Sequence, residues 1–375
     1  MSERQDNVTA EVCLPSKDLT KDLTFYTQVL GFRLDTIFPA DDPAIATLSG
    51  HGLRIRLERG APVSNVTTVA PAVVRLLCSD PDLFAGGARE LTSPTGTHFL
   101  VVDANPSLET PRTEHAFVVR RLKDNTPWVI GRAGMRYRDL IPGRLGGSII
   151  ASHIRIPDAG PVPDMVHYHT VGFQLIFCYG GWVRLVYEDQ GPPFVLRAGD
   201  CVIQPPRIRH RVLESSENLQ VIEIGVPAEH VTTLDYEMEL PTPQVRADRD
   251  FGGQRFCRSE AANAVWTPWR LQGFDVRETG IAAATGGVAS VQIARASGPI
   301  RGQVTSHTSD ILFTFVLSGS VTLHGEGQGA HALTAGDAYV IPPDVKTSLT
   351  DGSTDLQLLE VSLPAAFETR AHGTV

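Results

Sequence analysis

The last two-thirds of this 375-residue chain is written twice, and any fold it adopts must accommodate two like units. Thr126-Pro127-Trp128 recurs as Thr267-Pro268-Trp269, and Gly146-Gly147 as Gly286-Gly287. Gly199-Asp200 recurs as Gly336-Asp337, and Pro205-Pro206 as Pro342-Pro343. The offsets are 141, 140, 137 and 137 residues, a period that shrinks slightly across loops. Four pairs in one order mark a duplicated domain.

The 34 glycines and 26 prolines punctuate the chain about every six residues, which long helices do not survive and short strands do. Gln174–Cys178 and Leu312–Val316 are β-rich runs, each closed by glycine near Gly180-Gly181 or Gly319. Cys201–Gln204 and Ala338–Ile341 each follow a Gly-Asp turn and stop at a Pro-Pro pair, which cannot continue a central strand. A mainly β protein of barrel or sandwich type is expected, with jelly rolls closing the strand edges. The repeated units fall at 115–230 and 250–370, and the acidic segment Asp235–Asp250 reads as their connector.

Composition removes several function classes. A formal net charge of −9 argues against nucleic-acid binding, which needs a basic surface. No apolar run reaches the ~18 residues of a transmembrane helix. The polar start, Met1–Ala10, lacks the apolar core of a secretory signal, so a cytoplasmic protein is expected. The five cysteines, Cys13, Cys78, Cys178, Cys201 and Cys257, are scattered and odd in number, so reduced and mostly buried thiols are expected.

His167-Tyr168-His169 places two imidazoles on one face of a strand. After four more residues comes Gln174, and after a further six Gly181; Gly199 is followed after five residues by Pro205, and His210 lies five positions on. From His167 to Gly181 and from Gly199 to His210, this spacing resembles the two motifs of the cupin family. The chain departs from that pattern in having Gln174 for the usual glutamate, Arg207 for a glycine, and Gly160 one residue further from the first histidine. The resemblance implies two cupin (double-stranded β-helix, jelly-roll) barrels, with His167, His169, Gln174 and His210 as ligands of one metal.

Three neutral imidazoles on two neighbouring strands suit a divalent transition metal, and iron, zinc, nickel or manganese would each accept the set. A neutral amide keeps a carbonyl ligand but cannot act as a base. It also leaves the ion with one more unit of positive charge, which favours an anionic small-molecule substrate. In the second unit the same positions are Thr305, His307, Leu312 and Thr347, a set that cannot hold a transition metal well. That barrel is expected to be degenerate and kept for packing or dimer contacts, with His324 and His331 as surface residues. Alternation puts Ile176 and Cys178 on the Gln174 face and Val212 on the His210 face, while Tyr168 points away. Arg207, Arg209 and Arg155 are candidates for clamping a substrate carboxylate, although solvated rim arginines would read the same way.

The N-terminal third has another signature. Glu11–Leu14 reads as a strand, Lys17–Leu30 as an amphipathic helix stopped by Gly31, and Phe32–Asp35, Ala44–Leu48 and Leu53–Leu57 as strands. This βαβββ order, with Phe25-Tyr26 and Val29-Leu30-Gly31-Phe32, resembles one module of the vicinal oxygen chelate (glyoxalase/bleomycin-resistance) family, placed at 1–110. That family pairs two modules, and a second between Val66 and Val102 is poorly marked. The resemblance puts its metal-ligand positions at Glu11, which could ligate, and near Arg56, which cannot, with Glu58 on the same strand face and His51 in a turn. A structural or dimerising role is expected for this domain, and by analogy with bicupins the chain is expected to form a homodimer.

The leading functional expectation is a metal-dependent enzyme acting on a small oxygenated organic acid or enol, a dioxygenase if the metal is ferrous. The alternatives are a non-redox isomerase, cyclase or lyase using zinc or nickel, and a non-catalytic small-molecule-binding cupin.

Overall fold

The computed structural model describes residues 8–29, 31–50, 52–60, 73–92, 98–124 and 127–374. Leu30, His51, Val66 and Thr126, each used above, lie outside the described residues. The chain is mainly β, and it separates into two compact units: 1–109 with 230–235, and 110–229 with 236–375. Residues 230–235, which join the expected end of the first barrel at 230 to the expected start of the connector at Asp235, belong with the N-terminal unit.

In the N-terminal unit, β1 (Thr9–Ser16), α1 (Leu19–Thr24), β2 (Arg33–Phe38), β3 (Ile45–Gly50) and β4 (Leu53–Arg59) follow the expected order. The helix is shorter than its apolar spacing predicts. Asp18 caps it by accepting from the Lys21 amide at 3.1 Å, but after Thr24 the chain passes into a π-helical turn, Phe25–Val29. Thr24 and Thr27 hydroxyls bond back to the carbonyls of Thr20 and Leu23, the threonine habit that loosens helices. Strands β1 and β4 pair in parallel, with β3 and β2 antiparallel beyond. Leu19, Ile37, Ala46, Leu48, Ile55 and Leu57 form the core. On the other side of β1 follow β5 (Val73–Cys78), β6 (Glu90–Thr92) and β7 (His98–Asp103). β5 pairs antiparallel with β1 and parallel with β7, so the parallel pairing of β1 with β4 recurs in a shorter module. Thr232–Leu234 joins the opposite edge by pairing with β2.

The larger unit contains two barrels whose sheets have the same strand order. In the first, Cys201–Ile203, Phe173–Gly180, Leu219–Val226, Ile150–Ile156 and Arg136–Asp139 lie side by side. In the second the order is Ala338–Val340, Ile311–Ser318, Gln357–Leu363, Ser290–Ala296 and Phe274–Glu278. Strand alternation serves two cores at once. Phe173, Leu175 and Phe177 pack with Ile311, Phe313 and Phe315 between the barrels, while Cys178 and Ile176 turn into the first barrel. Each Phe or Leu buried this way contributes roughly 1.5–3 kcal/mol.

The repeats also exchange their leading strands. Val118–Arg120, at the start of the first repeat, pairs with Ala338–Val340 of the second. Cys257–Ser259, at the start of the second repeat, pairs with Cys201–Ile203 of the first. Two buried arginines repeat the exchange: Arg138 donates to the Gly336 carbonyl and Arg277 to the Gly199 carbonyl, each at 2.6 Å. Burial lowers the pKa of both, that of Arg138 to about 10. The connecting segment is also tied down, since Arg246 and Arg249 pair with Asp189, and Arg249 also with Glu188 at 2.6 Å. None of the five cysteines forms a disulfide; burial pushes the Cys178 and Cys201 thiols up to about 12.

His153 sits in this interface, 2% exposed, against Trp128, Tyr179 and Phe315. Burial, reinforced by the neighbouring Arg138 charge, lowers its pKa to about 4. Between pH 6.5 and 4 the unfolded chain therefore binds a proton that the folded chain refuses, and stability falls as the pH drops. The loss over that window is about 3 kcal/mol. We expect chemical-denaturation stability of the wild type to fall by about that much more than that of His153→Gln, and parallel pH profiles would contradict this. A second expectation concerns Arg207, which is exposed and has φ +61°, as Asp344 has φ +63° at the equivalent turn of the second barrel. A side chain costs ~1–2 kcal/mol there, against ~0.5–1 kcal/mol for the entropy of glycine. Arg207→Gly should raise stability by up to about 1 kcal/mol in urea titrations, and a clear drop would mean that the guanidinium makes a stabilising contact.

Candidate metal centre

The strand His167–His169 runs antiparallel to His210–Ser215, with His167 directly opposite His210. The two-residue period of a strand puts His167 and His169 on one face, towards His210. All three are buried, and one ligand nitrogen of each lies within 4.8 Å of the others. Ring centroids are 5.2, 4.2 and 5.2 Å apart for the pairs 167/169, 167/210 and 169/210. Among the described residues this is the one cluster of three or more His, Cys, Asp or Glu side chains placed to share an ion.

Hydrogen bonds fix two of the rings. The Nδ1 of His167 lies 2.7 Å from the Met165 carbonyl, and that of His210 lies 3.0 Å from the Ile208 carbonyl. A carbonyl only accepts, so both Nδ1 atoms carry the proton and Nε2 carries the lone pair, as metal-binding imidazoles require. Asp164, 3% exposed, holds one oxygen 3.6 Å from the His167 Nδ1 and accepts with the other from the Val212 amide at 2.8 Å. Tyr187 is the register partner of His210 and stacks on it at 5.5 Å and 25°. Gln204 Nε2 donates to the Tyr187 hydroxyl at 2.9 Å, and burial raises the pKa of that phenol.

Gln174 is 1% exposed on the next strand. Its Nε2 donates to Glu223 Oε1 at 2.6 Å, which fixes the amide orientation. Its Oε1 is buried with no hydrogen-bond partner among the described residues. Leaving a buried carbonyl oxygen unsatisfied costs about 1–3 kcal/mol, and a cation would remove that cost. Orphaned oxygen, locked tautomers and three converging imidazoles all fit a divalent transition metal.

Glu223 corrects the charge argument made from sequence. The amide does not stand alone, since a carboxylate on the facing strand is bonded to it and returns the negative charge that glutamine lacks. The sequence carries a signal for it: a single acid interrupts the apolar run Val221-Ile222-Glu223-Ile224, and Leu358-Leu359-Glu360-Val361 repeats that interruption. Tyr187 and Asp164 were also missed, and neither stands out by spacing alone.

The three arginines fare differently. Arg209 lies 4.4 Å over the Tyr168 ring, while its backbone amide donates to Glu188 at 3.2 Å. Arg207 is exposed. Arg155 has the wrong parity. Ile154 and Ile156 turn into the first barrel, so Arg155 faces outward with His153, and its guanidinium donates to Asn218 at 2.7 Å, beyond the far end of the His210–Ser215 strand. Tyr168 is half-buried and, as expected, lies on the opposite strand face from the histidines.

In the second barrel Thr305 faces Thr347 as His167 faces His210, so the positions carried over by spacing are structural equivalents. His324 and His331 are not plain surface residues. Both are half-buried, His324 against the Thr350 hydroxyl at 2.8 Å and His331 against Arg121 at 3.2 Å. In the N-terminal unit Glu11 is 2% exposed, and both its oxygens are taken by arginines, Arg54 at 3.1 Å and Arg75 at 3.2 Å. Arg56 pairs with Glu58.

No family model matches the chain, and no curated protein matches its sequence. Solved structures do match its fold. A salicylate 1,2-dioxygenase from Pseudaminobacter salicylatoxidans is 16% identical over 70% of this chain and 90% of its own, with a TM-score of 0.50. A variant of that dioxygenase in complex with gentisate is 16% identical over 71% and 88%, with a TM-score of 0.50. An oxalate decarboxylase variant from Bacillus subtilis is 12% identical over 70% and 81%, with a TM-score of 0.51. Among the described residues no helix is long and apolar enough to cross a membrane. At these identities the likeness speaks for fold alone: the larger unit is a pair of cupin jelly-roll barrels.

Proposed function

We propose that His167, His169, Gln174 and His210 hold one divalent transition metal, and that the chain is an enzyme acting through it on a small, anionic, oxygenated organic acid or enol. The observation that carries this reading is the buried Gln174 Oε1, which lacks a partner while its own amide nitrogen is pinned to Glu223. When bound, the metal would polarise substrate oxygens as a Lewis acid and, if it is iron, would give access to dioxygen chemistry. Two carboxylates, Glu223 beside Gln174 and Asp164 beside His167, offset the ion's double positive charge, so an anionic substrate would be drawn by direct contact with the ion rather than by net charge. The chain's own residues then have separate tasks. Met165 and Ile208 carbonyls hold the His167 and His210 rings in one tautomer, Tyr187 braces His210, and Glu223 orients the Gln174 amide.

A dioxygenase acting on a carboxylate-bearing substrate is the first reading to test, supported by fold likeness to an enzyme that acts on salicylate and whose variant binds gentisate. A non-redox isomerase, cyclase or lyase is the second, favoured by Glu223, whose carboxylate beside a ligand amide can take a proton inside the barrel. We assign 1–110 to a vicinal-oxygen-chelate-like domain, 115–230 to the metal-binding barrel and 250–370 to a barrel without metal, within a chain that works as a homodimer.

Elemental analysis of protein purified without added metal, combined with oxygen uptake, separates these readings. Bound iron with substrate-triggered oxygen uptake supports the dioxygenase; zinc or nickel with anaerobic turnover supports the second reading; a metal-free protein overturns both. His169→Ala and His210→Ala should each lose most of the metal, whereas Thr347→Ala should keep it, and equal loss in all three would refute the single site. Gln174→Glu should retain metal but change turnover, because it sets two carboxyl groups in contact, and the site then gains either a negative charge or an acidic proton that the amide does not supply. Unchanged kinetics in that variant would mean that the neutral amide is irrelevant to the chemistry.

A further inference from the structure

The second barrel carries threonines where the first has His167 and His210, yet its interior is not filled. It holds a partly open cavity of about 40 Å³, bordered by Trp269, Arg270, His307, Leu312, Thr347 and Glu360 among others. At about 10–15 Å³ per water, that is space for roughly three waters or one ligand of a few heavy atoms. The polar groups on its wall are only partly used. Arg270 gives one nitrogen, Nη2, to Glu360, and its Nε and Nη1 are buried without partners among the described residues. The guanidinium is held flat by Trp269, 4.2 Å away. His307, 4% exposed, bonds through Nε2 to the Ile341 carbonyl at 3.1 Å. That carbonyl only accepts, so Nε2 carries the proton, and the buried Nδ1, which lies near the Ser309 backbone but makes no well-formed hydrogen bond among the described residues, offers a lone pair. Burial lowers the His307 pKa and keeps the ring neutral.

We propose that this cavity is a metal-free binding site for a small hydroxycarboxylate, whose carboxylate is held by Arg270 and whose hydroxyl donates to His307 Nδ1. The same cavity is bordered by cationic donors and a neutral acceptor, so the fitting ligand carries an anionic acceptor and a donor within a few atoms of each other. A simple carboxylate satisfies Arg270 but leaves His307 Nδ1 buried and unpaired, at a cost of about 1–3 kcal/mol. The site is independent of the metal reading, since none of the first barrel's ligands borders it.

Isothermal titration of the full chain with glycolate, and with acetate as the probe lacking a hydroxyl, tests this directly. One glycolate should bind per chain, about tenfold or more tighter than acetate, and His307→Leu should abolish that preference. Arg270→Met should lose binding of both. Thr347→Leu, which fills the cavity without touching a charge, should also lose both, and it carries the test if Arg270→Met does not fold. The same titrations in His169→Ala, which removes the metal site, should still give one glycolate per chain, with the same dependence on His307, Arg270 and Thr347. No heat with glycolate up to tens of millimolar overturns the proposal. Loss of binding in His169→Ala with retention in Thr347→Leu also overturns it, because the ligand would then sit in the first barrel.

Discussion

The reciprocal strand exchange between the repeats is the constraint on which the larger unit depends. Each barrel's sheet ends in a strand supplied from the other repeat, and each exchange is pinned by an arginine buried against a carbonyl of the opposite barrel. Asp200 and Asp337 close the same turns alike, accepting at 2.7 Å from the backbone amides of Ala261 and Leu122, which follow the exchanged strands. Each of these guanidiniums is buried with other nitrogens unsatisfied among the described residues, so its carbonyl bond is costly to lose and leaves little freedom in how the barrels meet. The shared apolar layer of Phe173, Phe177, Phe313 and Phe315 then packs into a frame already fixed at both ends.

Much of this was legible in the sequence, because the residues involved obey short-range rules. Gly-Asp and Pro-Pro pairs mark turns, alternation assigns faces, and His-x-His followed by a distant histidine marks two adjacent strands. The expected equivalence of Thr305 and Thr347 to His167 and His210 holds in the strand register. What escaped were relations between segments far apart in the chain. Glu223 acts on Gln174 from forty-nine residues away, and the partner of Val118–Arg120 lies more than two hundred residues on. Arg155 was misread for a narrower reason: it shares the parity of His153, and that parity turned out to face the neighbouring barrel. The N-terminal helix was overextended because apolar spacing cannot register threonines bonding back to their own turn.

The two barrels make different use of one scaffold. In both, an acid on the same strand projects inward: Glu223 meets an amide, Glu360 meets an arginine. In the first barrel the pairing leaves a carbonyl oxygen seeking a cation, and in the second it leaves guanidinium nitrogens seeking an anion. Inverting the polarity of the interior took changes at a handful of positions, with the strands and turns left in place.

The exchanged strands bear on how such a chain can evolve. A duplicated domain that loses its own chemistry is ordinarily free to decay or be deleted. Here deletion of the second repeat would strip Cys257–Ser259 from Cys201–Ile203 and leave a raw sheet edge on the first barrel, open to pairing with other molecules. The side chains inside the second barrel are therefore freer to change than the barrel is to be discarded, and mutual custody of an edge strand is enough to keep both halves in a single gene product.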